Sequence, residues 1–220
     1  MLSAENLSSI ESEGRRLGAY AVRDPEMLVP QYPGWTIADL VEHTGSIHAR
    51  TTLIVTDLPI DRIPAPTLPE GREVAEWYVE NLEQMLAALR GADPETPCWG
   101  FGSSPCVGFW ETRMVVETGV HRWDAAQAFG EEDRLIDNVA RTGLDEFAEM
   151  WLPRLGDVAS LTVSATDLDR SWTFGEGEHD DVIEGTASDL YLRMVARPSP
   201  VILPSDWALA VDGLPPPPKR

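Results

Sequence analysis

At 220 residues the chain is long enough for one large domain or two modest ones, and with 43% hydrophobic and 25% charged residues it is patterned as a soluble globular protein. Seventeen Lys and Arg against 37 Asp and Glu leave a formal charge of -20, which repels a phosphate backbone and an anionic membrane surface and argues against nucleic acid or membrane as a partner. The opening MLSAENLSSIESEG has neither a basic nor an apolar leader segment, and no stretch approaches the ~20 apolar residues of a membrane span, so a cytoplasmic protein is expected.

In chain order, residues from about Ala4 to Val22 carry Leu7, Ile10, Leu17 and Tyr20 at helical spacing before Pro25 and Pro30 interrupt. Thr36, with Asp39 three residues on, is a variant capping box that opens a second helix whose apolar stripe runs through Ile37, Leu40, Val41, Ile47, Ile54 and Leu58. A linker with Pro59, Pro64, Pro66 and Pro69 leads to a third helix, Glu70 to Arg90, which Gly91 is placed to cap. Cys98 and Cys106, the only cysteines, fall in the following Gly- and Pro-rich loop at a spacing that matches neither a zinc knuckle nor a redox pair, and are expected as reduced thiols. A fourth helix is predicted from Phe109 to Phe129 and a fifth from Asp137 to Leu152.

After Pro153 the period changes from helical to alternating. Leu161, Val163 and Ala165, then Trp172 and Phe174, then Val182 and Ile183 predict three strands, and Ser188 to Ala196 a short helix. The fold class expected is therefore α+β: an antiparallel helical bundle over residues 1–153, followed by a small α/β domain over 154–220. The prolines at 215 to 218 predict a poorly ordered tail.

Chemistry concentrates on the fourth helix, where Arg113, Glu117, His121 and Asp124 fall in the same arc as Phe109, Trp110, Met114, Val120 and Ala128. Residues at i and i+4 stand one above the other, so Glu117 and His121 present a carboxylate and an imidazole about 6 Å apart toward the bundle axis. Buried ionisable groups need partners, water or a cation. Two arrangements satisfy them: an internal ladder of Arg113 with Glu117 and His121 with Asp124, or a metal ion. The second helix supplies the third ligand that a metal needs. His43 and His48 both lie on or beside its apolar stripe, but about 140° apart around the axis, so they do not readily serve the same ion. Two histidines and a glutamate leave one tetrahedral position open, as in catalytic zinc sites, and manganese, iron or nickel also accept such a set. His179, in an acidic turn, reads as a surface residue.

The segments PGWTIADLVEHTG (33–45) and WETRMVVETGVHRWDA (110–125) resemble the two signature helices of the mycothiol-dependent maleylpyruvate isomerase family, a branch of the DinB-like metal-binding bundles. TDLDRSWTF (166–174) and LYLRMVAR (190–197) resemble that family's small, sterol-carrier-like C-terminal α/β domain. The resemblance implies a DinB-like four-helix bundle holding a divalent metal, zinc foremost, on His43, Glu117 and His121. It also implies an arginine that binds the substrate's carboxylate, which falls on Arg197, with Arg193 one helical turn earlier as its rival. Many relatives carry a histidine immediately before the metal-binding glutamate, where this chain has Val116.

The cosubstrate implied is mycothiol, whose sulfur would bind the metal as a thiolate and attack a small electrophile. Reversible addition gives a cis-trans isomerase and permanent addition an S-transferase, and the sequence does not choose between them. A non-catalytic metal-binding or small-ligand-binding module of DinB-like fold is the alternative, because a bundle can keep its metal after losing its substrate residues. Asp93 to Gly108, with Trp99 and Phe101, is either a wall of the substrate pocket or an aromatic-packed connection.

Overall fold

The computed structural model describes residues 2–102, 105–177 and 181–215; His179 and three of the four tail prolines lie outside them. Residues up to Asp133 form one compact unit and those from Arg134 onward a second.

The first unit is built from α1 (Ala4–Arg23), α2 (Ile37–Asp57), α3 (Val74–Gly91) and α4 (Val107–Ala128). The capping box read from the sequence forms. The Thr36 hydroxyl accepts from the Asp39 amide at 3.3 Å, and the Asp39 carboxylate accepts from the Thr36 amide at 2.8 Å. This fixes where α2 begins and hence where its later residues point. Helix α3 starts at Val74, later than the expected Glu70, without a side-chain cap at Glu73.

Helix α1 packs on α3 and α4, and α2 packs on the same two helices. Pairings along α1 and α4 advance together, from Ser3 with Glu111 through Glu13 with Arg122 to Tyr20 with Phe129, so these two helices run the same way. Helices α2 and α4 run oppositely, because His43 meets Glu117 and His121 while Thr51 meets Met114. Helices α1 and α3 are also antiparallel, with Glu11 near Arg90 and Gly18 near Tyr78. The bundle is thus antiparallel across the α1/α3 and α2/α4 sides. The long proline-rich connection of residues 58–73 lets the chain return before α3 starts, so that α2 and α3 share a direction.

Ile10, Leu17, Leu40, Ile54, Leu82, Met85 and Met114 are fully buried in this unit. At Gly45 a Cβ would stand 2.8 Å from the Trp77 ring, so glycine is what lets α3 close on α2 two residues beyond His43. Arg122, fully buried, ties α4 to Glu13 of α1 and to Asp133 at the unit's end. A buried charge of this kind is tolerated because these partners are anionic and hydrogen-bonded to it.

The second unit contains α5 (Asp137–Met150), α6 (Leu152–Leu155), β1 (Leu161–Ala165), β2 (Arg170–Phe174), β3 (Asp181–Gly185), α7 (Ala187–Met194) and α8 (Ser205–Asp212). Its sheet has the order β2-β1-β3, with β1 antiparallel to β2 and parallel to β3. Leu161, Val163 and Ala165 are buried on one face of β1, as their alternation predicts.

The sequence-based boundary at Pro153 falls inside this unit, because α5 packs on α7 and β2. Gly143 of α5 lies so close to the Tyr191 ring of α7 that a Cβ there would stand 2.5 Å from it. Pro153 itself does not end the helical region; it sits in the first turn of α6, where its missing amide costs nothing. Helix α8 was not anticipated. Its Trp207 is buried and donates to the carbonyl of Ala159 at 2.9 Å, tying the segment before the tail to the start of the sheet.

Candidate metal centre

Glu117, in the middle of α4, is 8% exposed, and its Oε1 faces two imidazoles. His43 Nε2, from α2, stands 3.4 Å away, and His121 Nε2, one turn along α4, stands 3.2 Å away. One ligand atom from each of the three residues lies within 4.8 Å of the other two. His43 and His121 approach edge to face, with ring centroids 5.3 Å apart and planes at 89°.

The loop before α2 lines the site with residues that spacing alone did not reveal. Gly34 takes φ +78, a conformation open to glycine, and the amide of Trp35 turns back to the carbonyl of Tyr32 at 2.9 Å. This turn brings the Trp35 ring to 5.4 Å from His43 and the Tyr32 ring to 6.0 Å from His121. The Tyr32 hydroxyl donates to Asp124 Oδ2 at 3.2 Å, and the same oxygen stands 3.0 Å from His121 Nδ1. A proton on Nδ1, held by this carboxylate, would leave the Nε2 lone pair available to an ion between His121 and Glu117. No spacing rule pointed to Tyr32, because its place depends on the loop's turn and not on helix register.

Both pairs of the internal ladder are also present: Arg113 holds Glu117 Oε2, and His121 meets Asp124. Burial alone would raise the Glu117 carboxyl, but the Arg113 charge and hydrogen bonds from His121 and His43 hold it well below its ordinary value of 4.5. Burial alone would lower His121, yet Asp124 and Glu117 together raise it above its ordinary 6.5. An ion entering here would therefore meet a carboxylate already formed.

His48 lies outside this group. It is fully buried, with Nε2 2.9 Å from the Thr118 hydroxyl, and burial lowers it to about 3, keeping it neutral. Val116 is buried. Trp99, Phe101, Phe109 and Trp110 pack on one another, and the guanidinium of Arg50 stands 5.5 Å from the Trp99 ring and 5.7 Å from that of Trp110. Cys98 and Cys106 are free thiols.

In the second unit, Arg193 is held by Asp212 through contacts of 2.8 and 3.3 Å. Arg197 follows the left-handed Ala196, just beyond α7, and donates to the carbonyl of Val195 at 2.8 Å.

The sequence model described as the mycothiol maleylpyruvate isomerase N-terminal domain matches residues 10–126, a span that includes His43, Glu117 and His121. The chain belongs to this family. Its fold is also that of a crystal structure of the mycothiol-dependent maleylpyruvate isomerase, with a TM-score of 0.67 and 14% identity over 97% of this chain and 95% of that one. A histidine-to-alanine mutant of such an isomerase aligns over the same shares with a TM-score of 0.71 and 13% identity. No curated protein matches the sequence. Among the described residues of this family member, no helix is long and apolar enough to cross a membrane.

Proposed function

We propose that this chain is a mycothiol-dependent metalloenzyme of the maleylpyruvate isomerase type, acting on a small electrophile as a cis-trans isomerase or a thiol S-transferase. The observation that carries the reading is the convergence of two imidazole nitrogens on one buried carboxylate oxygen, at 3.4 and 3.2 Å. Ligands about 2.0–2.1 Å from a tetrahedral zinc stand about 3.3–3.4 Å from one another, so these separations suit one ion shared by His43, Glu117 and His121. Two neutral imidazoles and one carboxylate would leave it a net charge of about +1 and an open position. A divalent cation there would supply a Lewis-acid site on which a thiol is more stable as its anion than as a neutral group.

The chain's own residues do the rest. Asp124 orients His121, and Tyr32 orients Asp124. Trp35 and Tyr32 cover the imidazoles with apolar surface, which limits water and strengthens the electrostatics of the site. Arg197 is the residue we assign to the substrate's carboxylate, where a guanidinium would stabilise the charge that develops as the thiol adds. Its rival, Arg193, is paired with Asp212.

The alternative, a non-catalytic metal- or small-ligand-binding module, draws its support from the same ladder of Arg113 with Glu117 and His121 with Asp124, which balances the buried charges by itself. One experiment separates the two. Purified protein is assayed for metal, then incubated with mycothiol and maleylpyruvate and followed by mass spectrometry. A thioether product identifies transfer; an unchanged mass with a shifted spectrum identifies isomerisation. Conversion that is absent, or unaffected by chelation, sinks the metalloenzyme reading.

A further inference from the structure

Glu117 divides its two oxygens between different partners. Oε1 faces His43 and His121 at 3.4 and 3.2 Å, while Oε2 is taken by Nη2 of Arg113, one helical turn back on α4. Both side chains are nearly buried, at 12% exposed for Arg113 and 10% for Glu117, so water does little to loosen the pair. The metal reading does not itself require Arg113, and on the sequence it is only one rung of a possible ladder.

We propose that Arg113 is a positioning residue of the metal centre: by holding Oε2 it commits Glu117 to the ion through Oε1 alone and keeps a coordination position open. The inference rests on the metal reading above. A carboxylate binds a divalent cation through one oxygen or through both, and the second mode consumes a position that a cosubstrate would otherwise fill. A charge-assisted hydrogen bond to Oε2, in a buried setting, opposes that second mode. The guanidinium also draws negative charge off the ligand, leaving the ion more electrophilic. Asp124 acts in the opposite sense on His121, where a carboxylate behind the imidazole raises its donor strength. Arg113 and Asp124 therefore set the two α4 ligands from behind, one weakened and one strengthened.

The test is cobalt(II) titration of the wild type, Arg113→Met, Arg113→Gln and Arg113→Lys, with the visible ligand-field spectrum, X-ray absorption and far-UV circular dichroism on the same samples. In the wild type, strong four-coordinate bands and a single carboxylate oxygen at bonding distance are expected. In the Met and Gln variants the bands should weaken and the coordination number rise by one, with cobalt bound at least as tightly as by the wild type. Arg113→Lys should restore most of the wild-type intensity, since a cation again meets Oε2.

A merely structural role would instead loosen cobalt binding without changing coordination number, and that result overturns the proposal. So do unchanged spectra in the neutral variants. A wild type whose glutamate already binds through both oxygens overturns it without recourse to any variant, so poor folding of the variants does not shield it. Should the wild type bind no cobalt, the metal reading itself falls. Should it bind cobalt in a His43-dependent way while Arg113→Met leaves the spectrum unchanged, only the role of Arg113 falls.

Discussion

Glu117 is the residue on which both imidazoles converge, and the two histidines of α2 differ in what they can reach. His43 faces Glu117, whereas His48 is spent on Thr118. His43→Ala is therefore expected to remove most bound metal and His48→Ala to leave the stoichiometry near that of the wild type, as measured by plasma mass spectrometry of dialysed protein. Equal losses would place the α2 register in error.

His48 also makes a prediction about stability. Burial lowers its folded pKa to about 3 against an ordinary 6.5, with Glu117 raising and His121 lowering it to a smaller extent. As pH falls below 6.5 the unfolded chain takes up a proton that the folded chain refuses. Stability contributed at this position is therefore lost at about 1.4 kcal/mol per pH unit across that window. His48→Gln, which can still meet Thr118, should remove that slope. Urea unfolding of both proteins from pH 7 down to pH 4.5 tests it: the wild type should lose ground to the variant as pH falls, and parallel curves would refute the assignment.

Each helix brings its residues to the site by where it starts. Thr36 and Asp39 set the first turn of α2, two turns before His43. Thr36→Ala should cost about 1 kcal/mol, within the usual range for a lost cap, while metal stoichiometry is kept, because the bundle holds α2 along its length. A chemical denaturation curve gives the first quantity and metal analysis the second; loss of metal without loss of stability would mean that the cap positions His43 more directly than packing does. The capping box, the apolar stripe of α2 and the i, i+4 pair on α4 were all legible in the sequence, since each depends on residues within one or two turns. Tyr32 and Trp35 were not, because a loop residue's position depends on the turn around Gly34 and on the helices that flank it.

Over the whole molecule, His43, Glu117 and His121 belong to one compact unit and Arg197 to the other. If Arg197 meets the substrate's carboxylate, Arg197→Lys should keep fold and metal but lower turnover, since lysine cannot reproduce a two-pronged contact. Full activity in that variant, with loss in Arg193→Lys, would move the role one turn back. Steady-state kinetics beside metal analysis decides between them.

By itself the sequence determined the class of the fold, the helical and strand periods and the family signature. Those features follow from local spacing. Only the tertiary structure decided that α5 belongs with the sheet and not the bundle, since Gly143 and Tyr191 are distant in sequence and their fit appears only when the helices pack. Only it decided that α1 and α4 run the same way, which depends on the path of the 58–73 connection. And only it brought His43 to the Oε1 side of Glu117 with Arg113 on the other oxygen, because periodicity places a side chain on a helix face but says nothing of which atom meets which partner across the bundle.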